Sequence, residues 1–482
     1  MRAAFSGGET AVRAALAAAL VLLGAGAARG ETRADGERAD GERADEERAD
    51  EERADGERAD GERADEERAA SPDGAPPLGE RLGAPEWLEL GLEHRSRIEL
   101  REDANPNPEV PQDQIGYAVR TLLRLGVRGG PVRVSAELLD SRMLLEDPSR
   151  SDTSLENPLD LLSAFVELRA EELLAVGDEL RLRVGRQTLD LGSRRLMARN
   201  RYRNTINAFG GVTARYRRKA FTATGLWLVP VERRAPGIFP PDGEDDYLDR
   251  EDFRRHLGAG YLELHPPGWE LELELYLFGQ HDDRPGRIRT LFTPGARLLR
   301  APARGRLDLE VELALQRGGA PADGDRPVRT HQAHFVHVDV GYTVDHSLAL
   351  RLELGADVAT GPSDAPGRST RFDTLFGARR FDFGPTGVLG VLARADLWSP
   401  FLRYRLRPRE DLRIDGQARL VWTERPFEGD RSWSGGLAEV RVRWSPWGPL
   451  VRLEAGLAGA RLDGALGLTS TLYGYSQVSL RL

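Results

Sequence analysis

Five arginines crowd one short stretch of this sequence, at Arg194, Arg195, Arg199, Arg201 and Arg203. A guanidinium stays charged at physiological pH and offers its donors as a flat fork that grips a carboxylate through two parallel bonds. The chemistry such a run suits is anion binding, with carboxylates or phosphates as ligands. Two other causes compete with that reading. Lys219 is the only lysine in the sequence, so arginine supplies nearly all the basic charge. A surface loop of this composition also pairs with lipopolysaccharide phosphates.

Carboxylates and imidazoles offer rival chemistry. Glu270, Glu272 and Glu274 recur at every second residue, which on a strand spaces them about 7 Å apart on one face. Glycosidases use such a separation between two carboxyls, yet evenly spaced charges along a strand's inner face are the commoner cause. His331, His334 and His337 suggest a metal site. On a strand, however, His334 points away from the other two, so the three cannot converge. No Gly-x-Ser-x-Gly, His-Glu-x-x-His or phosphate-binding glycine loop occurs. There is no cysteine, which removes disulfides, thiolate metal sites and lipid attachment. The expectation is therefore no catalysis, no cofactor, no metal and no nucleic-acid partner.

The elements that would position these residues are strands. From Glu86 onward the pattern has period two: Leu88, Leu90, Leu92, Ile98 and Leu100 alternate with Glu89, Glu93, Arg95, Arg97, Glu99 and Arg101. The same alternation returns at Ile115–Val127, Trp269–Gly279, Leu307–Leu315, Leu348–Ala356 and Leu412–Trp422. Strands are expected near residues 86–101, 113–128, 131–141, 161–172, 178–188, 209–218, 220–230, 254–265 and 268–281. Others follow near 287–298, 304–317, 331–344, 346–360, 397–407, 410–423, 435–445, 448–461 and 466–482. Alternation alone fits a soluble sandwich as well as a membrane barrel.

Connection lengths separate the two. Tight turns stand at Gly129-Gly130, Lys219, Pro266-Pro267, Asp345, Pro408-Arg409 and Pro446-Trp447, with long connections at 141–160, 188–208, 230–253, 317–330 and 360–396. Short turns on one side and long loops on the other mark an outer-membrane barrel. The expected fold class is all-β: a large antiparallel transmembrane barrel of about 18 strands over residues 86–482, with both ends periplasmic. Residues 360–396 must hold an even number of further strands, which makes about 20 the fallback. Trp87, Trp227, Trp269, Trp398, Trp422 and Trp444 fall near expected strand ends, where interfacial girdles lie. The last strand alternates through Ser476, Val478, Leu480 and Leu482. That pattern suits barrel-assembly machinery, although the usual terminal residue is Phe.

The N-terminus reads differently. Arg2 and Arg13, apolar Ala14–Leu23, and small Ala25 and Ala27 form a secretory signal over residues 1–27, with cleavage there or just before Glu31. A short amphipathic anchor is the alternative. Residues 36–70 then repeat the unit [Gly/Glu]-Glu-Arg-Ala-Asp, the last copy ending on Ala70, after a near-copy at Glu31–Asp35. A period of five builds no apolar stripe, so residues 28–85 are expected to be a disordered periplasmic spacer and linker. Residues 31–70 carry 18 acidic and 8 basic side chains, which equals the whole formal charge of −10. The overall acidity therefore says nothing of the folded part. A contact with the cell wall or a basic partner is the sharper alternative for the repeat. As a plain spacer, its deletion would leave assembly and conductance unchanged.

Residues 184–212, VGRQTLDLGSRRLMARNRYRNTINAFGGV, go beyond architecture. They resemble the alginate-export porin family at Gly185, Arg186, Gln187, Gly192, Arg195, Leu196, Tyr202, Asn204, Phe209, Gly211 and Val212. Departures are Thr188 for an acidic residue, Leu191 for an aromatic and Gly210 for an Asp. The resemblance implies an 18-stranded barrel that passes an anionic polyuronate through an arginine-rich pore.

Tracking the polar faces gives the pore wall. Arg120, Arg124, Arg128, Arg133, Arg181, Arg183, Arg215 and Arg217 are expected to point inward, and so are Arg403, Arg405, Arg413, Arg419, Arg441, Arg443 and Arg452. Closing the barrel merges the two groups into one basic sector, opposite Glu270, Glu272, Glu274, Asp308, Glu310 and Glu312. The expected path for an anionic polysaccharide or oligosaccharide is that wall with Arg186, the loop arginines and Asn204. A general diffusion porin and a structural or adhesive barrel are the other function classes. Outer-membrane lipid and lipopolysaccharide are the expected surroundings.

Overall fold

The structure, a computed structural model, describes residues 78–104, 113–145, 153–234, 248–320, 329–362, 367–385, 394–422, 434–464 and 467–482. The period-two segments are long antiparallel strands. The first nine are β1 (Leu88–Ala104), β2 (Asp113–Gly129), β3 (Val132–Leu145), β4 (Asn157–Glu171), β5 (Glu179–Gln187), β6 (Phe209–Arg218), β7 (Phe221–Glu232), β8 (Arg255–Leu264) and β9 (Glu272–Asp282). The other nine are β10 (Arg289–Arg300), β11 (Leu307–Ala320), β12 (Arg329–Thr343), β13 (Arg351–Ala359), β14 (Leu397–Arg409), β15 (Leu412–Trp422), β16 (Ser434–Trp444), β17 (Val451–Gly464) and β18 (Gly467–Arg481). Each pairs with the next, and β18 returns to β1 with Leu480 opposite His94 and Ser476 opposite Ile98. The result is a closed 18-strand barrel. Closure leaves no free sheet edge, which backbone without access to water requires.

Burial settles which face is which. On β1, Ile98 and Leu100 are 51 % and 52 % exposed, while Arg95 and Arg97 on the opposite face are 3 % and 4 % exposed. Apolar outside and charged inside is the arrangement of a membrane barrel rather than a sandwich. Trp398 and Trp422, paired across β14 and β15 with ring centroids 4.6 Å apart, mark the rim with the long loops. Trp87, Trp269, Trp444 and Trp447 are exposed at the other rim. Trp227 departs from the expectation: it lies mid-strand on β7.

Other expectations shift too. β9 begins at Glu272, so Glu270 sits in the preceding turn, where Arg300 and Arg306 pair with it. The connection around Asp345 spans 344–350 instead of a single residue. Residues 360–396 add no barrel strand among those described, which removes the twenty-strand alternative. They contain a two-residue strand, Arg368–Ser369, running parallel to β12. The signal at 1–27 and the spacer as far as Pro77 lie outside the described residues. The end of the expected linker is a helical turn, α1 (Leu78–Arg81), whose Gly79 is buried against the start of β1.

Candidate functional site

Two long connections fold into the barrel and fill its lumen midway. The first joins β5 to β6 and carries the arginine run. Its direction is set by two glycines. Gly185 and Gly211 face each other across β5 and β6 with φ of 128° and 148°. A side chain there would meet the Ala164 carbonyl oxygen at 2.3 Å or that of Trp227 at 2.2 Å. Only glycine fits such a backbone and so close an approach. Gly192, at φ 50°, brings the loop against the Tyr261 hydroxyl. Gln187, Leu196 and Phe209 are buried, and Phe209 meets Phe376 edge-on at 5.0 Å.

Wall and loop then trade hydrogen bonds. Arg95 and Arg120 each donate to the Arg201 and Arg203 carbonyls at 2.8–3.1 Å, and Arg97 donates to the Tyr202 carbonyl at 3.0 Å. Asn204 donates to the carbonyls of Arg142 and Leu155, both at 2.9 Å, and accepts from Arg95 at 3.0 Å. Arg199 forks onto Glu137 at 2.9 and 3.0 Å and reaches Thr188 at 2.7 Å. Buried carbonyls and charges need such partners. These groups fix the loop in place.

The second connection joins β13 to β14 and supplies α2 (Arg380–Phe383). It locks onto the first. Arg195 forks onto Asp382 at 3.1 and 3.2 Å, and also pairs with Glu312 of β11 at 2.7 Å and with Glu310. Arg394, fully buried, donates to the Arg195 carbonyl at 2.7 Å and pairs with Asp382. Burial alone would raise the Asp382 carboxyl, but the Arg195 and Arg394 guanidiniums outweigh it and hold it well below the usual carboxylate range. Arg380 pairs with Glu439 on β16, at 2.9 Å for Nη1. The acidic staves thus anchor the plug, and their charge is further offset by Arg297 on Glu274 and Glu310, at 2.8 Å each.

Arginine excess appears on both sides of this plug. Towards the periplasm, Asp415 on β15 is shared by Arg413 at 2.8 Å, Arg443 at 2.9 Å, Arg405 at 3.3 Å and Arg441 at 3.4 Å. Glu454 on β17 stands opposite Arg443 and within the field of Arg441 and Arg443, so four guanidiniums face two carboxylates. Arg405, Arg441 and Asp415 line a cavity of about 200 Å³ beneath the plug, roofed by Arg194, Arg195 and Asp382. Towards the outside, Arg371 and Arg379 line a second cavity with Asp373. There burial, with the charges of Arg203, Arg394 and Arg371, pushes Arg379 down to about 10.

The arginines expected on the path divide into four groups. Arg194, Arg195 and Arg199 are buried inside the plug rather than facing lipopolysaccharide. Arg120 and Arg403 hold the plug, Arg403 by pairing with Glu353 at 2.7 Å and touching Asp382 at 3.4 Å. Arg186 shares the outer face of β5 with lipid-exposed Val184 and pairs with Glu251 at 2.8 Å, so it lies off the lumen. Arg405, Arg441 and Arg443 line the wall with Arg181, Arg183, Arg215 and Arg217; Arg215 and Arg217 are about half exposed. Sequence reasoning missed Asp382 and Arg394, which lie in a stretch with no periodicity to reveal their direction. Among the described residues two groups fit a metal by distance, Glu263 with Glu272 and Glu274, and the more buried Glu310 with His337 and Asp339. The latter group's ligand atoms are engaged: His337 bonds Asp357 at 2.6 Å and Asp339 at 2.8 Å, and Glu310 pairs with Arg195 and Arg297.

Comparison with known proteins agrees with this geometry. The outer membrane protein OpdK of Pseudomonas aeruginosa has a similar structure, with TM-score 0.57 and 14 % identity over 82 % of this chain and 98 % of that one. OccK2 (OpdF) of the same organism, solved in complex with glucuronate, gives TM-score 0.53 and 14 % identity over 82 % and 98 %. OccAB4 of Acinetobacter baumannii gives TM-score 0.54 and 12 % identity over the same shares. At these identities the likeness establishes the fold. No curated protein matches the sequence. The family model described as alginate export matches residues 86–427, which is most of the barrel. The chain is an outer-membrane β-barrel pore and belongs to the alginate export family.

Proposed function

We propose that the barrel conducts an anionic saccharide, a uronate-bearing polymer or oligomer, along its arginine-rich wall. The observation that carries this reading is the convergence of Arg405, Arg413, Arg441 and Arg443 on the carboxylate of Asp415, with Glu454 beside Arg441 and Arg443. Arg405 and Arg441 of that group line a water-accessible cavity in which nine arginines face seven carboxylates, and low-dielectric walls focus the resulting field and raise the local anion concentration. The crowding of Arg203, Arg371 and Arg379 on the outer side of the plug supports a path basic at both ends. Glucuronate bound to the similarly folded OccK2 is a ligand of the same chemical class. Polymer passage requires the two interlocked connections to part; short oligomers need less movement.

Single-channel recordings test the proposal. Oligouronates added to either side should reduce the current, neutral oligosaccharides of equal length should not, and the block should weaken as salt screens the wall. Equal indifference to both would point to a general diffusion porin. A barrel with no conductance would point to a structural or adhesive role.

A further inference from the structure

The chain enters the barrel through its periplasmic mouth. α1 and the turn that follows, through Glu86, lie over the lumenal side of β1. With Glu89, Arg124, Arg128 and Arg133 they enclose a cavity of about 720 Å³. Because β18 pairs with β1, this point lies near the staves β15–β17, where four arginines face Asp415 and Glu454. Immediately upstream is the pentapeptide repeat, whose 18 acidic and 8 basic side chains over residues 31–70 leave it strongly negative.

Reach, charge and tethering meet here. Extended chain covers about 3.3–3.6 Å per residue, so the stretch from Asp65 to Leu78 spans roughly 45 Å, more than the ~30 Å hydrocarbon core. The nearest copies of the repeat can therefore touch any part of the periplasmic half of the lumen. Near α1 itself Glu80 and Glu86 repel an acidic segment, and the arginines beside Glu89 and Glu93 are already paired with them, which favours the arginine sector across the mouth. A short tether supplies an effective concentration in the millimolar range, so even weak pairing fills the site.

We propose that the acidic repeat occupies the basic sector of the periplasmic mouth, as a built-in polyanion against which the conducted anion must compete. The occupancy stands on charge and chain length alone, while the competition rests on the pore function proposed above. The sequence has no cysteine, so pairs can be introduced cleanly. Ala59→Cys combined with Ser479→Cys, inward beside Arg452 on β18, should crosslink under added oxidant in 0.1 M salt and lose most of that yield in 1 M salt. Ala59→Cys with Val478→Cys, on the lipid face, should crosslink far less. Equal yields for the two pairs, or a yield indifferent to salt, would overturn the occupancy. In bilayers, replacing every Glu and Asp of residues 31–70 by Gln and Asn should raise low-salt anion current several-fold. A synthetic GERADEERAD peptide added on the periplasmic side should reverse the gain. If crosslinking is selective but the currents are unchanged, the repeat binds without competing and the competition is wrong. If no form conducts, the pore reading fails and the crosslink still decides the occupancy.

Discussion

Arg195 and Asp382 lie 187 residues apart in sequence and meet as a two-pronged pair inside the lumen, with Nε to Oδ2 at 3.1 Å and Nη2 to Oδ1 at 3.2 Å. The contact ties the connection after β5 to the connection after β13. Glu310 and Glu312 of the barrel wall join the same guanidinium, so the plug is anchored to the stave opposite the basic sector. A buried pair of this kind contributes little net stability against an apolar substitute, but losing one partner strands the other. The contact therefore defines which arrangement the loops adopt.

Coupling between the two loops is the first consequence. Arg195→Ala should loosen both, giving larger and noisier single-channel currents and protease cleavage within residues 188–208. A double-mutant cycle with Asp382→Ala, read from denaturant unfolding in detergent, should show a coupling of about 0.5–3 kcal/mol. Additive effects would mean that the loops fold independently.

The pH response follows from the depressed Asp382 carboxyl. A carboxyl whose folded pKa is lowered contributes stability above its unfolded value, about 3.9 for Asp, and loses it only as pH falls through the folded value. The plug should consequently hold from pH 8 down to about 4 and loosen only in stronger acid. Conductance recorded across that range should stay flat. A rise centred between pH 5 and 6 would place control of the plug elsewhere.

The paired glycines make a prediction about assembly. Gly211→Ala puts a methyl group 2.2 Å from the Trp227 carbonyl oxygen at a φ of 148°, so β6 and β7 must separate locally. The expected loss is about 1–3 kcal/mol, typical of strain at a special backbone conformation, seen as a lower urea midpoint and a smaller heat-modifiable band on gels. Gly210→Ala is a weaker control, because its methyl would meet only the Glu251 side chain. Equal effects at the two positions would refute the backbone argument.

These cases show what the sequence discloses. Alternation such as Arg97 beside Ile98 reports a strand and both its faces, because the period of two is local and the barrel has one wet side. Tight turns at Gly129-Gly130 and Pro408-Arg409 gave the strand count for the same reason. The inward course of the two connections was not legible. Their buried arginines, Arg195 and Arg394, look in sequence like any surface charge, and their partners lie on other loops and staves. Arg186 belongs to the family motif, yet alternation with the inward Gln187 places it on the outer face of β5, off the path.

On the proposed function, the guanidiniums gathered around Asp415 and Glu454 set the anion preference. Arg403 is unsuited to the test, since it also holds Glu353 and Asp382. The decisive measurement is the reversal potential under a salt gradient at low ionic strength, where screening is least, for the native barrel and for Arg405→Ser, Arg441→Ser and Arg443→Ser combined. Anion selectivity is expected in the native barrel, and a shift towards neutrality or cation selectivity in the triple variant. Unchanged reversal potentials, with the triple variant still heat-modifiable and conducting, would contradict it.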